Sequence, residues 1–249
     1  MPLSRHFNQG RLLYFTQGAD AISVYENDHM RWLAFDDVVQ SAVRLKKPHQ
    51  LTFPHQWALL MPLLSFTPSN IVELGLGAGN HILFSQWLTA DINHKVIEAN
   101  PNVIDIALRY FPISDVKENL VLNDAKQWLV NEKTLSDDWY IFDIYQKAKF
   151  HDTSYNELLK QFIDYLPYGS ILSINFPEVT QKELMFWLAI AGQKKSHKLQ
   201  CYTVPRYKNI VLHLIPTSPN NSLQQKSHLP NRLQHYWRRY QLQFGLVAS

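Results

Sequence analysis

Glycines recur at every second position in Glu73-Leu74-Gly75-Leu76-Gly77-Ala78-Gly79-Asn80, between an apolar run and a stretch of helical pattern. Glycine permits a tight turn and lets the backbone come close to a ligand. The free N–H groups of a following helix then face that ligand. A bare glycine triple is weak evidence, because many occur by chance, but the flanking strand and helix raise it here. A nicotinamide fingerprint wants its third glycine three positions after the second, where this chain has Asn80. The third glycine is instead Gly79, and G-x-G-x-G is the spacing usual for nucleosides of the S-adenosylmethionine type.

Carboxylates end the strands that follow. Glu98 closes HKVIE nineteen residues after Gly79. A carboxylate there accepts hydrogen bonds from both ribose hydroxyls, a bidentate geometry that neutral side chains imitate poorly. Asp124, closing LVLND, is spaced to accept from the exocyclic amine of adenine. Asp143, closing WYIFD, falls at the carboxyl edge of a fourth strand, where open α/β sheets put their chemistry. Taken alone, each acid reads equally as a solvated loop residue or a helix cap. Four strand-end signals in register predict a nucleoside site.

The elements that must position these residues follow from the hydrophobic period. Before residue 50, AISVYE and MRWLAF alternate around the turn Asn27-Asp28-His29, which predicts a β-hairpin, followed by a short strand at VVQSAV. LTFPHQWALLMPLLSF reads as a helix with Pro54 near its start, complicated later by Pro62. From Ile71 onward strands (IVELGL, HKVIEA, LVLND, WYIFDIY, SILSINF) alternate with helical stretches (HILFSQWL, VIDIALRYF, AKQWLVNE, YNELLKQFIDYL). That alternation predicts a mostly parallel sheet with helices on both faces. ELMFWLAIAG then reads as a helix, and LQCYTV and NIVLHLIP as a terminal antiparallel hairpin. The fold class expected is α/β, a class I methyltransferase-type Rossmann domain over 68–216. It is preceded by an N-terminal β region and linking helix (1–67) and followed by a polar linker and a basic, aromatic helix (217–249).

Composition narrows the class. Of 249 residues, 46% are hydrophobic and 18% charged, with mean hydropathy −0.24, which excludes disordered, collagenous and coiled-coil chains. No apolar run approaches the roughly 18 residues of a membrane span, and MPLSRHFNQG lacks the apolar segment of a signal peptide. A single cysteine, Cys201, cannot form an intrachain disulfide. A cytoplasmic chain with no membrane partner is expected. Charge is uneven: after Glu183 there are nine basic residues and no acid, against fifteen basic and 21 acidic up to and including it. The basic third either docks on the acidic body or a sister subunit, or meets nucleic acid through Tyr236, Trp237, Arg238, Arg239 and Tyr240. Docking is the reading favoured.

Taken together, ISVYE, MRWLAFDDVVQS, FPHQW, ELGLGAGN, VIEANPNVIDIALRYF, LVLNDAKQWL and WYIFDIY make the chain resemble the spermidine synthase family, especially its bacterial spermidine synthase-like branch, from about Ala21 to Pro216. The IEANP–ALRYF block is more specific than the glycines. The resemblance implies a small N-terminal sheet flanking the nucleoside cleft, a homodimer, a small-molecule substrate and no metal. It implies an adenosyl sulfonium donor, S-adenosylmethionine or its decarboxylated form. Gly75, Gly77, Gly79, Glu98 and Asp124 would bind that cofactor. Asp143 and Tyr145 would face the acceptor as catalytic groups, with Gln40 and Gln146 on the acceptor side.

The family pattern is incomplete. Aminopropyltransferases carry an aspartate where this chain has Ala78, and a second, serving as base toward the attacking amine, where it has Gln146. An amide cannot take a proton from an ammonium nucleophile, and alanine cannot hold a cationic amine. The tyrosine expected near the domain junction is replaced, with Phe53 and Pro54 nearby. Glu73 is apolar in typical spermidine synthases but acidic in many methyltransferases, close to the methionine end of the cofactor, whose amino group is a favourable partner. The expectation is a transferase of this kind, with Asp143 the best surviving base. The alternatives are a nucleoside-binding paralogue without chemistry, or an RNA-directed methyltransferase.

Overall fold

The computed structural model describes residues 7, 9–17, 21–36, 38–131, 138–144, 153–223, 229–241 and 246–248. Four antiparallel strands open the chain: β1 (Arg11–Thr16), β2 (Ile22–Glu26), β3 (Met30–Phe35) and β4 (Val38–Arg44), paired in that order. The hairpin expected from the alternation is β2–β3, with Val24 opposite Leu33. Strand β1 is an addition. Its LLYF is a continuous apolar run rather than an alternation, and it pairs through a register shift between Leu12 and Tyr14.

Helix α1 (Pro54–Leu59) is shorter than the apolar run around it. Pro62 lacks an N–H and its ring would meet the carbonyl four residues back, so the chain leaves the α-helix at Leu60 and turns through a 3₁₀ segment, Met61–Leu64. At the start of α1, Gln56 Oε1 accepts from the amides of Thr52 (3.0 Å) and Phe53 (2.9 Å).

The remaining elements are β5 (Asn70–Leu74), α2 (Asn80–Leu88), β6 (Asn93–Glu98), α3 (Pro101–Tyr110), β7 (Leu120–Leu122), α4 (Ala125–Asn131), β8 (Trp139–Phe142), α5 (Thr153–Tyr165), β9 (Ile171–Phe176), α6 (Gln181–Ala191), β10 (His197–Thr203), β11 (Ile210–Pro216), α7 (Asn231–Gln241) and β12 (Leu246–Ala248). They build an eight-stranded sheet in the order β12-β10-β11-β9-β8-β5-β6-β7. Neighbours from β9 to β7 are parallel; β11, β10 and β12 add antiparallel. This is the mostly parallel Rossmann sheet with a terminal hairpin that the sequence pattern predicts, extended by β12.

Central strands in such a sheet are covered on both faces and read as unbroken apolar runs. Trp139, Tyr140, Ile141 and Phe142 of β8 are all fully buried. Helix starts carry their own signals: Asn100 caps α3 through the Asn102 amide, followed by Pro101, and Thr180 with Glu183 forms a capping box on α6. The polar segment after β11 is anchored at Asn220 and Ser222, both bonded to Asp138, whose other carboxylate oxygen accepts the Ser69 and Asn70 amides. Helix α7 docks on the body. Trp237 is fully buried against Trp57 and Phe84, and its indole N–H donates to the Trp57 carbonyl at 2.8 Å. No helix among the described residues is long and apolar enough to cross a membrane.

Candidate functional site

The turn from β5 into α2 needs glycine. Gly75 has φ +101° and Gly77 φ +53°, backbone regions that L side chains rarely adopt. A Cβ on Gly75 would also stand 2.4 Å from the Asp143 carbonyl, because the loop passes against the end of β8. Gly79 is the left-handed residue from which α2 begins.

Contrary to the simple expectation of free amides facing a ligand, much of the loop's N–H complement is already used. Gly75 donates to the Ile97 carbonyl, Leu76 to Glu98 Oε2 (3.0 Å), Ala78 to Ser41 Oγ (3.1 Å) and Gly79 to the Leu76 carbonyl. A loop so committed is poorly suited to cradle a pyrophosphate, and well suited to lie rigid beneath an uncharged nucleoside. Ser41 Oγ also donates to Asn80 Oδ1 at 2.7 Å, and Asn80 Nδ2 donates to the Ala42 carbonyl. Strand β4 is thereby clamped over the loop.

A cleft of about 480 Å³ opens above the carboxyl ends of β5, β6, β7 and β8. Gly75, Gly77, Glu73, Glu98, Asp124, Asp143 and Gln40 all line it; Gly79 sits just behind, at the helix start. Tyr145 and Gln146 lie outside the described residues.

Glu98 accepts from the amides of Leu76 and Asn100, one on each oxygen. Burial raises its pKa above the ordinary carboxylate value, and those amide bonds partly oppose the rise. Two bonds leave acceptor capacity on a carboxylate that has about four lone-pair directions. Asp124 caps α4, its Oδ1 accepting from Lys126 (2.9 Å) and Gln127 (3.1 Å) amides, while the residue is exposed at the cleft mouth. Asp143 Oδ1 accepts from Asn175 Nδ2 at 2.8 Å, and Asn175 Oδ1 accepts from Asn209 Nδ2 at 2.9 Å. Gln40 donates to the Val38 carbonyl from the N-terminal sheet.

Glu73 lines the cleft with both of its carboxylate oxygens engaged by imidazoles. It is buried, and Oε1 lies 2.7 Å from His81 Nδ1 while Oε2 lies 3.0 Å from His94 Nε2. Burial pushes its pKa up, but the two imidazoles more than offset that and hold it at about 2. In return, although burial works to lower it, the His81 pKa is raised by Glu73 and, further off, by Asp143. His55, beside the same cleft, is pushed down to about 4 by burial, with Asp143 opposing and His81 assisting.

Ligating atoms of Glu73, His81 and Asp143 lie within 4.8 Å of one another. Both Glu73 oxygens, however, are engaged by imidazoles, an arrangement a metal would have to displace. The group reads as a buried acid–imidazole network. Sequence reasoning missed His55, His81, Asn175 and Tyr207 in the cleft wall. Asn175 had a signal, lying at the end of a strand as the acids do; the others come from loop and helix positions that have none.

No protein-family model matches the chain. It is 29% identical over 128 residues to a polyamine aminopropyltransferase of Neisseria meningitidis serogroup A / serotype 4A (strain DSM 15465 / Z2491), covering 48% of this chain and 47% of the relative. The serogroup B (strain ATCC BAA-335 / MC58) counterpart matches equally. The chain thus spans about half the length of the curated relatives it matches. Among solved structures, a spermidine synthase in complex with the transition-state analogue AdoDATO aligns with TM-score 0.59 at 16% identity, over 92% of this chain and 89% of that one. Spermidine synthase from Thermotoga maritima aligns with TM-score 0.57 at 16% identity, over 92% and 88%. Human methyltransferase-like protein 13 in complex with SAH aligns with TM-score 0.54 at 17% identity, over 77% and 92%. The chain is similar in sequence to polyamine aminopropyltransferases over about half its length, and in fold to spermidine synthases over nearly all of it.

Proposed function

We propose that this chain binds an adenosyl sulfonium donor, S-adenosylmethionine or its decarboxylated form, and transfers an alkyl group from it to a small amine-type acceptor. One observation carries the reading: Glu98 and Asp124 converge with the glycine loop on one cleft, with Asp143 across it. Glu98 would take the ribose hydroxyls and Asp124 the adenine amine. Attack in line on a carbon bonded to sulfur asks the protein mainly for positioning and electrostatics. The nucleophile's proton would pass to Asp143, held in place by the Asn175–Asn209 chain. The similarity to polyamine aminopropyltransferases and the fold shared with a methyltransferase bound to SAH both support this donor class.

Ala78 and Gln146, where aminopropyltransferases carry acids, favour a second reading, a nucleoside-binding protein without chemistry. The RNA-directed reading loses its best stacking residue, since Trp237 is fully buried. Incubation with labelled intact and decarboxylated S-adenosylmethionine and a panel of di- and polyamines separates the first two. Transfer to an amine supports the enzyme. Tight binding of methylthioadenosine with no transfer to any acceptor supports the binding protein, and no binding of any adenosyl ligand overturns both.

A further inference from the structure

A second cavity, about 250 Å³, lies away from the nucleoside cleft, between the N-terminal sheet and the end of α3. Arginines at three places face it: Arg31 at the start of β3, Arg44 at the end of β4, and Arg109 in the last turn of α3. Two of them are paired with acids. Arg31 pairs with Glu26 and also donates to the Tyr110 carbonyl, tying the sheet to α3; Arg109 Nε donates to Asp105 Oδ1 at 2.8 Å. Arg44 is different. Its Nε is buried with no hydrogen-bond partner, and among the described residues its guanidinium forms no ion pair.

A guanidinium cannot discharge itself by losing a proton, and a buried donor without an acceptor, as Arg44 Nε is, is unfavourable. The sequence has kept that cation at a cavity wall, where an acceptor from outside can reach it. Val43, Leu45, Pro48, Phe111 and Pro112 supply the rest of the wall. The unpaired charge of Arg44 suits a negatively charged group, and the planar fork suits a carboxylate. The apolar remainder suits an organic body.

We infer that this cavity is a binding site for a small monocarboxylate with an apolar body, anchored by the Arg44 fork. The site is separate from the nucleoside cleft and does not rest on the function proposed for it.

The test uses the full chain and three probes: benzoate, its neutral isostere benzamide, and inorganic phosphate, each titrated calorimetrically with and without saturating methylthioadenosine. Benzoate is expected to bind in both conditions, with benzamide and phosphate at least tenfold weaker. Arg44→Lys, which keeps the charge but loses the fork, should weaken benzoate about tenfold, and Arg44→Gln should abolish it while circular dichroism stays native. Equal binding of benzamide, loss of benzoate binding when methylthioadenosine is present, unchanged affinity in folded Arg44→Gln, or no benzoate binding at all would each overturn the proposal. If the Arg44 variants fail to fold, the comparison of benzoate with benzamide on the unmodified chain still decides it. Because methylthioadenosine is titrated separately, failure of the cleft reading and failure of this one are distinguishable.

Discussion

Glu98 illustrates how much one carboxylate is asked to do. It stiffens the glycine loop through the Leu76 amide and keeps acceptor capacity toward the cleft. Hydrogen bonds to a charged group contribute about 1.5–3 kcal/mol each. Glu98→Ala is therefore expected to lower affinity for methylthioadenosine at least tenfold in a calorimetric titration. Unchanged affinity would mean that the nucleoside does not meet this strand end. Glu73 is the contrasting case, a carboxylate of the cleft floor whose two oxygens serve two buried imidazoles.

Among the elements, the β5–α2 turn is the most constrained. Alanine at Gly75 would face both a left-handed φ and the Asp143 carbonyl. Backbone strain of this kind is worth about 1–3 kcal/mol, and relief by moving β8 would shift Asp143 itself. Gly75→Ala should lower the urea midpoint and weaken nucleoside binding together. A variant with native stability and native affinity would show that the turn has room to relax. The sheet β1–β4 acts on the same turn from the other side, through Ser41, which bonds Asn80 and the Ala78 amide.

At the scale of the whole molecule, the described strands and helix of the basic C-terminal third pack into the body. The Trp237 indole N–H donates to the Trp57 carbonyl in the last turn of α1, and β12 adds to β10. Trp237→Ala should destabilise by about 3–5 kcal/mol, as large-to-small core changes do, read from chemical denaturation. The pH dependence follows from buried imidazoles. Burial depresses His55 to about 4 and His213 to about 3, from an ordinary 6.5. Below pH 6.5 the unfolded chain binds these protons and the folded chain does not. Stability should therefore fall as pH drops from 6.5 toward 4, by about 1.4 kcal/mol per unit for each group. His81, raised, acts in another window: its contribution is full below 6.5 and is lost as pH rises through its folded value. The Glu73 contribution is present above its ordinary 4.5 and is lost only as pH falls toward about 2. Denaturation midpoints from pH 7 to 4 check this, and His55→Phe should make the decline shallower. An equal slope in that variant would show that His55 titrates normally in the fold.

The strand–helix alternation, the glycine turn and the strand-end acids were all legible from residue order alone. Period and turn chemistry act over a few residues, and a parallel sheet brings successive strand ends to one edge whatever the loops do. What the order of residues could not reveal depends on contacts between distant segments. That β1 completes a four-stranded sheet, that Ser41 clamps Asn80, that Glu73 faces His81 and His94, and that Trp237 reaches Trp57 across 180 positions are consequences of packing. Nothing local distinguishes a glutamate that meets a cofactor from one that meets two histidines. Only the folded chain decides which partner lies within hydrogen-bonding distance.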